Sequence, residues 1–370
     1  MAIKELFVSW KDRINQWGVD HLTRISFLQK IFFVDHLRTM LHASISIVEA
    51  LEILGKESTN KKMVSVVKKI KQEVEKGRSL SDVLGAYPEL FPPIYVKMVE
   101  SGELSGKLDE SLTHIVVQMK KTQALTSSIR GAMIYPAVIV TAMVGIAIMM
   151  VTVILPRLLD VFKEFHAELP LATRILIRIT ELFGNPVAIV IGIFLIVIIV
   201  GGYIVLLKRS PPFRHAIHRI ILRLPIAGSV ARQINLARFS LTLSSLLKST
   251  VPIIDAVDIT ADTCTNVLYR DALHDAAKKI KTGAALSDIL REYPRLFSPM
   301  VTEMIMVGER SGQMDNLLTE LSIFFSDEVD KIMKNFTTII EPVIIIGMGI
   351  AVAGLAVAVI MPMYSLVQNF

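Results

Sequence analysis

The residues whose types and spacing could do chemistry in this 370-residue chain form one short motif that occurs twice. Gly102, Glu103, Ser105 and Gly106 spell Gly-Glu-x-Ser-Gly, with Asp109 three residues on; Gly308, Glu309, Ser311 and Gly312 repeat it, followed by Asp315. Three readings fit these candidate site residues. As structure, two glycines release the backbone for a tight turn between helices, the serine caps the next helix, and the acids favour that helix's positive end. As function, Glu103 and Glu309 are surface contacts for a partner. As ligand chemistry, their carboxylates are oxygen donors for a hard cation such as calcium.

Other reactive residue types occur without a pattern. The chain has no GxxxxGK[ST] phosphate loop, no HExxH, no GxSxG and no paired CxxC. The histidines (His21, His36, His42, His114, His166, His215, His218, His274) are scattered. His215 and His218 are three apart in a basic stretch, which reads as an interfacial face before it reads as a metal site. Cys264 is the single cysteine, so there is no internal disulfide, and it reads as a helical or loop thiol. The expectation is a protein that is not an enzyme and that holds no cofactor and no metal.

The elements that must position the motif are themselves duplicated. From Gly77 the chain reads GRSLSDVLGAYPELFPPIYVKMVESGELSGKLDESL, and from Gly283 it reads GAALSDILREYPRLFSPMVTEMIMVGERSGQMDNLL. The offset is 206 (283 less 77), with no gap. It extends outward, from Glu49 on Asp255 to Pro136 on Pro342 and Pro156 on Pro362. A repeat this long is a duplicated domain and not a solenoid of short units. In the first copy, Met63, Val66, Val67, Ile70 and Val74 make one apolar face opposite a row of lysines, and Gly77 ends that helix. Ser46 with Glu49 has capping-box spacing, and Pro252 stands at the second copy's equivalent of Ser46. No stretch alternates at period two. About six helices are expected per copy, near 29–43, 46–57, 60–76, 79–86, 92–102 and 107–128.

Hydrophobic residues make up 52% of the chain and charged residues 20%, and the mean hydropathy is +0.54. Together these point to a membrane protein with large water-facing domains. Three uncharged apolar stretches, 132–155, 187–207 and 343–361, are each long enough to cross a bilayer. Pro136 and Pro342 are placed in the first turn of their spans. Gly347, Ala351, Gly354 and Ala358 form a small-residue stripe suited to close helix packing.

The formal charge of +6 is read as a topology signal, with no basic stripe interleaved with aromatics to suggest nucleic acid. Lysines and arginines flank the spans on the side of the duplicated domains, which places those domains in the cytoplasm. Residues 1–28 show no secretory signal and carry Ile3, Leu6, Phe7, Trp10, Ile14 and Trp17 at helical spacing.

The expected map is an amphipathic segment at 1–28, a cytoplasmic helical domain at 29–130, a first span at 131–156 and a periplasmic connector at 157–186. A second span at 187–207 and a basic juxtamembrane segment at 208–231 follow. The second cytoplasmic domain is 232–337, the third span 338–361 and a periplasmic tail 362–370. The fold class is therefore an all-α membrane protein with two duplicated six-helix cytoplasmic bundles and three transmembrane helices. A secondary transporter also carries repeats, but it would place broken or charged helices at mid-membrane, and these spans are uncharged.

The duplicated Tyr-Pro-x-Leu-Phe and Gly-Glu-x-Ser-Gly segments, residues 224–228 (Leu-Pro-Ile-Ala-Gly), and Ala237-Arg238-Phe239 leading to Val251-Pro252-Ile253 resemble a known family. It is the PilC/GspF family, inner-membrane platform proteins of type IV pili and type II secretion systems. The resemblance covers the chain from about residue 29. It implies no enzymatic activity, self-association into dimers or higher forms, and contact with a cytoplasmic hexameric ATPase. It also implies work on pilins or pseudopilins beside other inner-membrane assembly proteins.

Overall fold

The computed structural model describes residues 25–149, 194–195, 198–199, 201–203, 205–207 and 209–368, and among these there is no strand. The helices of the first copy are α1 (Phe27–His42), α2 (Ile47–Glu57), α3 (Lys61–Glu75), α4 (Leu80–Gly85), α5 (Pro93–Ser105) and α6 (Leu108–Met149). After α7 (Pro211–Arg223) come those of the second copy: α8 (Pro225–Lys248), α9 (Ile253–Thr263), α10 (Val267–Ile280), α11 (Leu286–Arg291), α12 (Pro299–Ser311) and α13 (Met314–Gln368). Shifted by 206, α2, α4 and α5 land on α9, α11 and α12 without an end moving.

Local chemistry sets these ends. Asn60 caps α3 by accepting from the amides of Lys62 and Met63, and Asn266 caps α10 from the equivalent position. Gly77 and Gly283 leave the following turn in the left-handed region, at φ 86° and 90°. Ser46 accepts from the Glu49 amide, one half of the expected capping box, and Pro252 starts α9 with no side-chain bond. A complete box occurs instead at Ser26 and Gln29, and it starts α1 at Phe27, ahead of the expected 29.

The described residues divide into two compact units, one holding those up to Thr126 with His218–Val329, the other those within 127–217 and from Asp330 on. In the first unit each copy has its own aromatic centre. Phe33 and Phe91 lie 5.7 Å apart, and their counterparts Phe239 and Phe297 lie 5.4 Å apart with Tyr269 packed on Phe297. Phe91 and Phe297 are the last residues of the Tyr-Pro-x-Leu-Phe motif, so that motif seats its ring in the core. The Tyr269 hydroxyl, buried with the ring, donates to the Leu296 carbonyl at 2.6 Å.

In the second unit α6 and α13 continue as apolar helices, and Leu108–Ile146 and Met314–Ile350 are long and apolar enough to cross a membrane. Ile134, Val138, Ile346 and Ile350 stand exposed there, as suits side chains that meet lipid. The Ser128 hydroxyl donates to the Asp330 carboxylate.

One expectation changes. Pro136 and Pro342 are not first-turn residues, because α6 begins at Leu108 and α13 at Met314 and neither breaks before its proline. Each proline removes one interior amide from a continuous helix. The span expected at 187–207 is described only in fragments; of the segment expected at 1–28, residues 1–24 lie outside the described residues, as does all of the connector expected at 157–186.

Candidate functional site

The Gly-Glu-x-Ser-Gly motif is the last turn of a helix and not the loop that follows it. In the first copy α5 runs on through Ser105, and only Gly106 adopts a left-handed turn, at φ 68°; Gly312 does the same after α12, at φ 68°. The first glycine has a different task. A Cβ on Gly102 would lie 2.6 Å from the Cβ of Ser111 and 3.2 Å from the Cα of Leu108, and one on Gly308 would lie 2.9 Å from the Cα of Met314. Gly102 and Gly308 thus let the following helix cross in near-contact.

The glutamates point inward, at another repeated motif. Glu103 accepts from the amides of Leu80 at 2.6 Å and Ser81 at 3.0 Å, and from the Ser81 hydroxyl. Glu309 accepts from the amides of Leu286 at 2.6 Å and Ser287 at 3.3 Å, and from the Ser287 hydroxyl. Each carboxylate sits on the exposed N–H groups at the start of a six-residue helix, α4 or α11, where a negative charge is favoured. The Leu-Ser-Asp and Gly-Glu-x-Ser-Gly repeats, some twenty residues apart in each copy, therefore form a single clamp.

The remaining motif positions are less central. Ser105 does not cap the next helix: its hydroxyl turns back to the Ser101 carbonyl at 2.8 Å, within reach because both residues are helical. Asp109 and Asp315 lie in the first turns of α6 and α13, as charge at those ends requires. Between Glu103 and Ser105 the side chain of Leu104 is 83% exposed, and its counterpart Arg310 is exposed too. In the membrane stripe Gly347 faces open space. The side chains of Ala351, Gly354 and Ala358 lie outside the described set.

His218 and Cys264 have structural roles. The Nδ1 of His218 accepts from the Val267 amide at 2.9 Å at the start of α10, which fixes the proton on Nε2. Cys264 is buried at the end of α9, and burial, opposed by Arg238 and Arg270, pushes its thiol up to about 12.

A polar seam between the copies was not legible in the motifs. The Ser101 hydroxyl donates to the Ser249 carbonyl at 2.6 Å and lies 2.9 Å from the Thr250 hydroxyl. Gln118, buried on α6, accepts from the Ser245 hydroxyl at 2.7 Å and donates to Thr242 at 3.5 Å. The seam joins α5 and α6 of the first copy to α8 and the turn before α9 in the second. A signal for it exists in the repeat register: Ser101 aligns with Val307 and Gln118 with Phe324, polar residues at positions where the other copy is apolar.

Known proteins agree with the duplication. The family model described as "Type II secretion system (T2SS), protein F" matches twice, over 33–156 and 239–362, and the two starts differ by 206 (239 less 33). The type IV pilus assembly protein PilC of Pseudomonas aeruginosa is 33% identical over 338 residues, which cover 90% of this chain and 88% of that protein. PilC of Thermus thermophilus is 33% identical over 335 residues, 90% of this chain and 82% of its own. Type II secretion system protein F of Aeromonas hydrophila is 30% identical over 333 residues, 89% and 84% of the two chains. With both copies matched end to end, the chain belongs to the family of type II secretion system protein F.

Proposed function

We propose that this chain is the inner-membrane platform of a type IV pilus, coupling a cytoplasmic hexameric ATPase to the insertion of pilin subunits. The observation that carries the reading is the double family match together with PilC proteins that align over nine-tenths of the chain. The equivalent platform of a type II secretion system is the second reading, supported by the Aeromonas secretion relative at 30% identity; we put the pilus first on the 33% of the two PilC relatives above.

In this reading the two helical domains, 29–130 and 232–337, form six-helix cytoplasmic bundles, and three spans cross the membrane at 131–156, 187–207 and 338–361. The N-terminus is cytoplasmic and the tail after residue 361 periplasmic. The ATPase pushes or turns the bundles, and the spans carry that movement to pilins and to other inner-membrane assembly proteins. The clamps at Glu103 and Glu309 support this mechanics. They make the α4–α5 and α11–α12 corners stiff, so that exposed neighbours such as Leu104 and Arg310 can bear load. The small-residue stripe from Gly347 to Ala358 packs spans against one another, and the platform self-associates.

The test is electron microscopy of surface filaments in cells that lack the chain. Filaments lost and then restored by the intact protein are expected. Filaments unaffected while a type II secreted enzyme stays inside the cell would give the chain to secretion. For the topology, a reporter active only in the periplasm should work when fused after Phe370 and fail at Lys279. The reverse pattern would overturn the orientation.

A further inference from the structure

The seam that joins the two copies is made from unlike faces: the α5–α6 face of the first copy meets the α8–α9 corner of the second. The repeat register therefore predicts two further faces of the same kind, one at each free end of the duplicated pair. The counterpart of the α5–α6 face is on α12 and the start of α13, where Val307 replaces Ser101 and Phe324 replaces Gln118. The counterpart of the α8–α9 corner is on α1 and the turn before α2, where Thr39 and Ala43 replace Ser245 and Ser249.

The backbone of that corner is already shaped for the contact. Ser44 and Thr250 hold the same left-handed turn, at φ 64° and 58°. Burial distinguishes the used faces from the free ones. Gln118 is 2% and Ser249 3% exposed, whereas Phe324 is 43% and Val307 51% exposed, and Ala43 is exposed.

We propose that a second copy of this chain docks on these faces, Val307 and Phe324 of one chain against the α1–α2 corner of the next. The contact repeats between chains the one made within each. The proposal rests on the reading of the chain as a self-associating platform and adds which surfaces meet and with what symmetry. Because the two faces are different, the assembly is a head-to-tail row or ring and not a two-fold pair.

The change of residues suits a contact between chains. Inside the chain the seam is polar, and Lys248 faces His114 and Lys121, whose pKa values are held down first by burial and then by that lysine. Between chains, His42 in the place of Lys248 meets Glu320 and Asp327 in the places of His114 and Lys121. An apolar centre replaces a hydroxyl seam, and an imidazole beside two carboxylates replaces a lysine beside a histidine and a second lysine. Within the chain Lys97 and Asp255 attract each other across the seam; between chains the like pair Glu303 and Glu49 takes their places, and Glu303 is already held by Arg291 at 2.9 Å.

Cysteine cross-linking of the full chain in native membranes tests this, because the natural Cys264 is buried and the background is silent. Two singly substituted chains, Ala43→Cys and Val307→Cys, carry different tags and are treated with a short bis-maleimide. Co-expressed, they should give a two-chain band that holds both tags, and neither should do so alone. Adding Phe324→Glu to the Val307→Cys chain should lower the yield about tenfold; this side chain is exposed, so the fold is retained.

Self-cross-linking of either single variant at equal yield would show a two-fold interface and overturn the proposal. So would an absent band while both introduced thiols react freely with a monofunctional maleimide. If the thiol introduced by Ala43→Cys is shielded but cross-links to nothing, another segment such as residues 1–24 covers the corner, and the proposal falls. Loss of filaments with cross-linking intact would instead count against the platform reading and leave the interface standing.

Discussion

Helix α4 is held at its start by two side chains, Ser79 and Glu103, whereas its counterpart α11 is held by Glu309 with Ala285 standing where Ser79 does. At this corner the two copies have helices with the same bounds, and they differ in how many groups secure it. The carboxylate is present in both and the hydroxyl cap in one, so the clamp is the feature that the fold at this corner needs. It follows that the second copy should be the more fragile, and Cys264 gives a native probe of its opening. A buried thiol with its pKa pushed up to about 12 reacts only when the surrounding helices part.

The largest effect should come from Gly308→Ala. The added methyl meets the backbone of Met314 at 2.9 Å, which no rotamer can relieve, so α12 and α13 must separate. Overpacking of this kind costs about 3 kcal/mol. Cys264 labelling by a maleimide should then accelerate about a hundredfold. Gly102→Ala in the first copy meets mainly the Ser111 side chain, and combining it with Ser111→Gly should recover part of the thermal stability. Equal recovery of Gly308→Ala by Leu317→Ala would break the distinction, because Leu317 is not what the methyl strikes first.

Next in size are the clamp substitutions. Glu309→Ala leaves two amides and a buried hydroxyl without their acceptor and should cost about 3 kcal/mol. Glu103→Ala should cost about 2 kcal/mol, because Ser79 still caps α4. Chemical unfolding of the detergent-solubilised protein, followed by helical signal, compares the two. A Glu103 variant at least as damaged as the Glu309 variant would refute the argument from the missing cap. Ala285→Ser should restore that cap and stabilise the second copy by about 1 kcal/mol, read as slower Cys264 labelling.

How far the sequence spoke for itself depended on the range over which each residue acts. The repeat offset, the helix starts at Asn60 and Asn266 and the left-handed glycines are local or register features, and all were readable. The continuity of α6 through Pro136 was not, because a proline in a long apolar helix looks the same as one at its start. The partner of Glu103 lies 22 and 23 residues away, and nothing in a spacing tells a carboxylate aimed at its own chain from one aimed outward. The seam at Gln118 joins residues 127 apart through neutral hydroxyls, which leave no periodic trace. The capping box at Ser26 and Gln29 was readable in principle, since Ser-x-x-Gln precedes the apolar run that opens α1.

The smallest expected effect sharpens the comparison electrostatically. In the second copy Lys279 reaches both Asp275 and Glu292, at 3.0 and 2.6 Å, and Tyr293 donates to Asp275 at 2.8 Å. The bond from Lys279, then that from Tyr293, holds the Asp275 carboxyl below its ordinary value of 3.8. A depressed native pKa contributes stability that is present above the unfolded value and fades as the pH falls through the native one. The second copy should therefore loosen below about pH 4, and Asp275→Asn should remove that step. The size is a few tenths of a kcal/mol, since the groups are well exposed and screened. At the equivalent positions the first copy has Lys69, Glu73 and Ala86, so the Asn variant should leave acid sensitivity there unchanged. Cys264 labelling between pH 5 and pH 3, after unreacted probe is normalised at each pH, reads the difference. A variant that opens with acid as readily as the natural chain would show that the triad only decorates the corner that Glu309 holds.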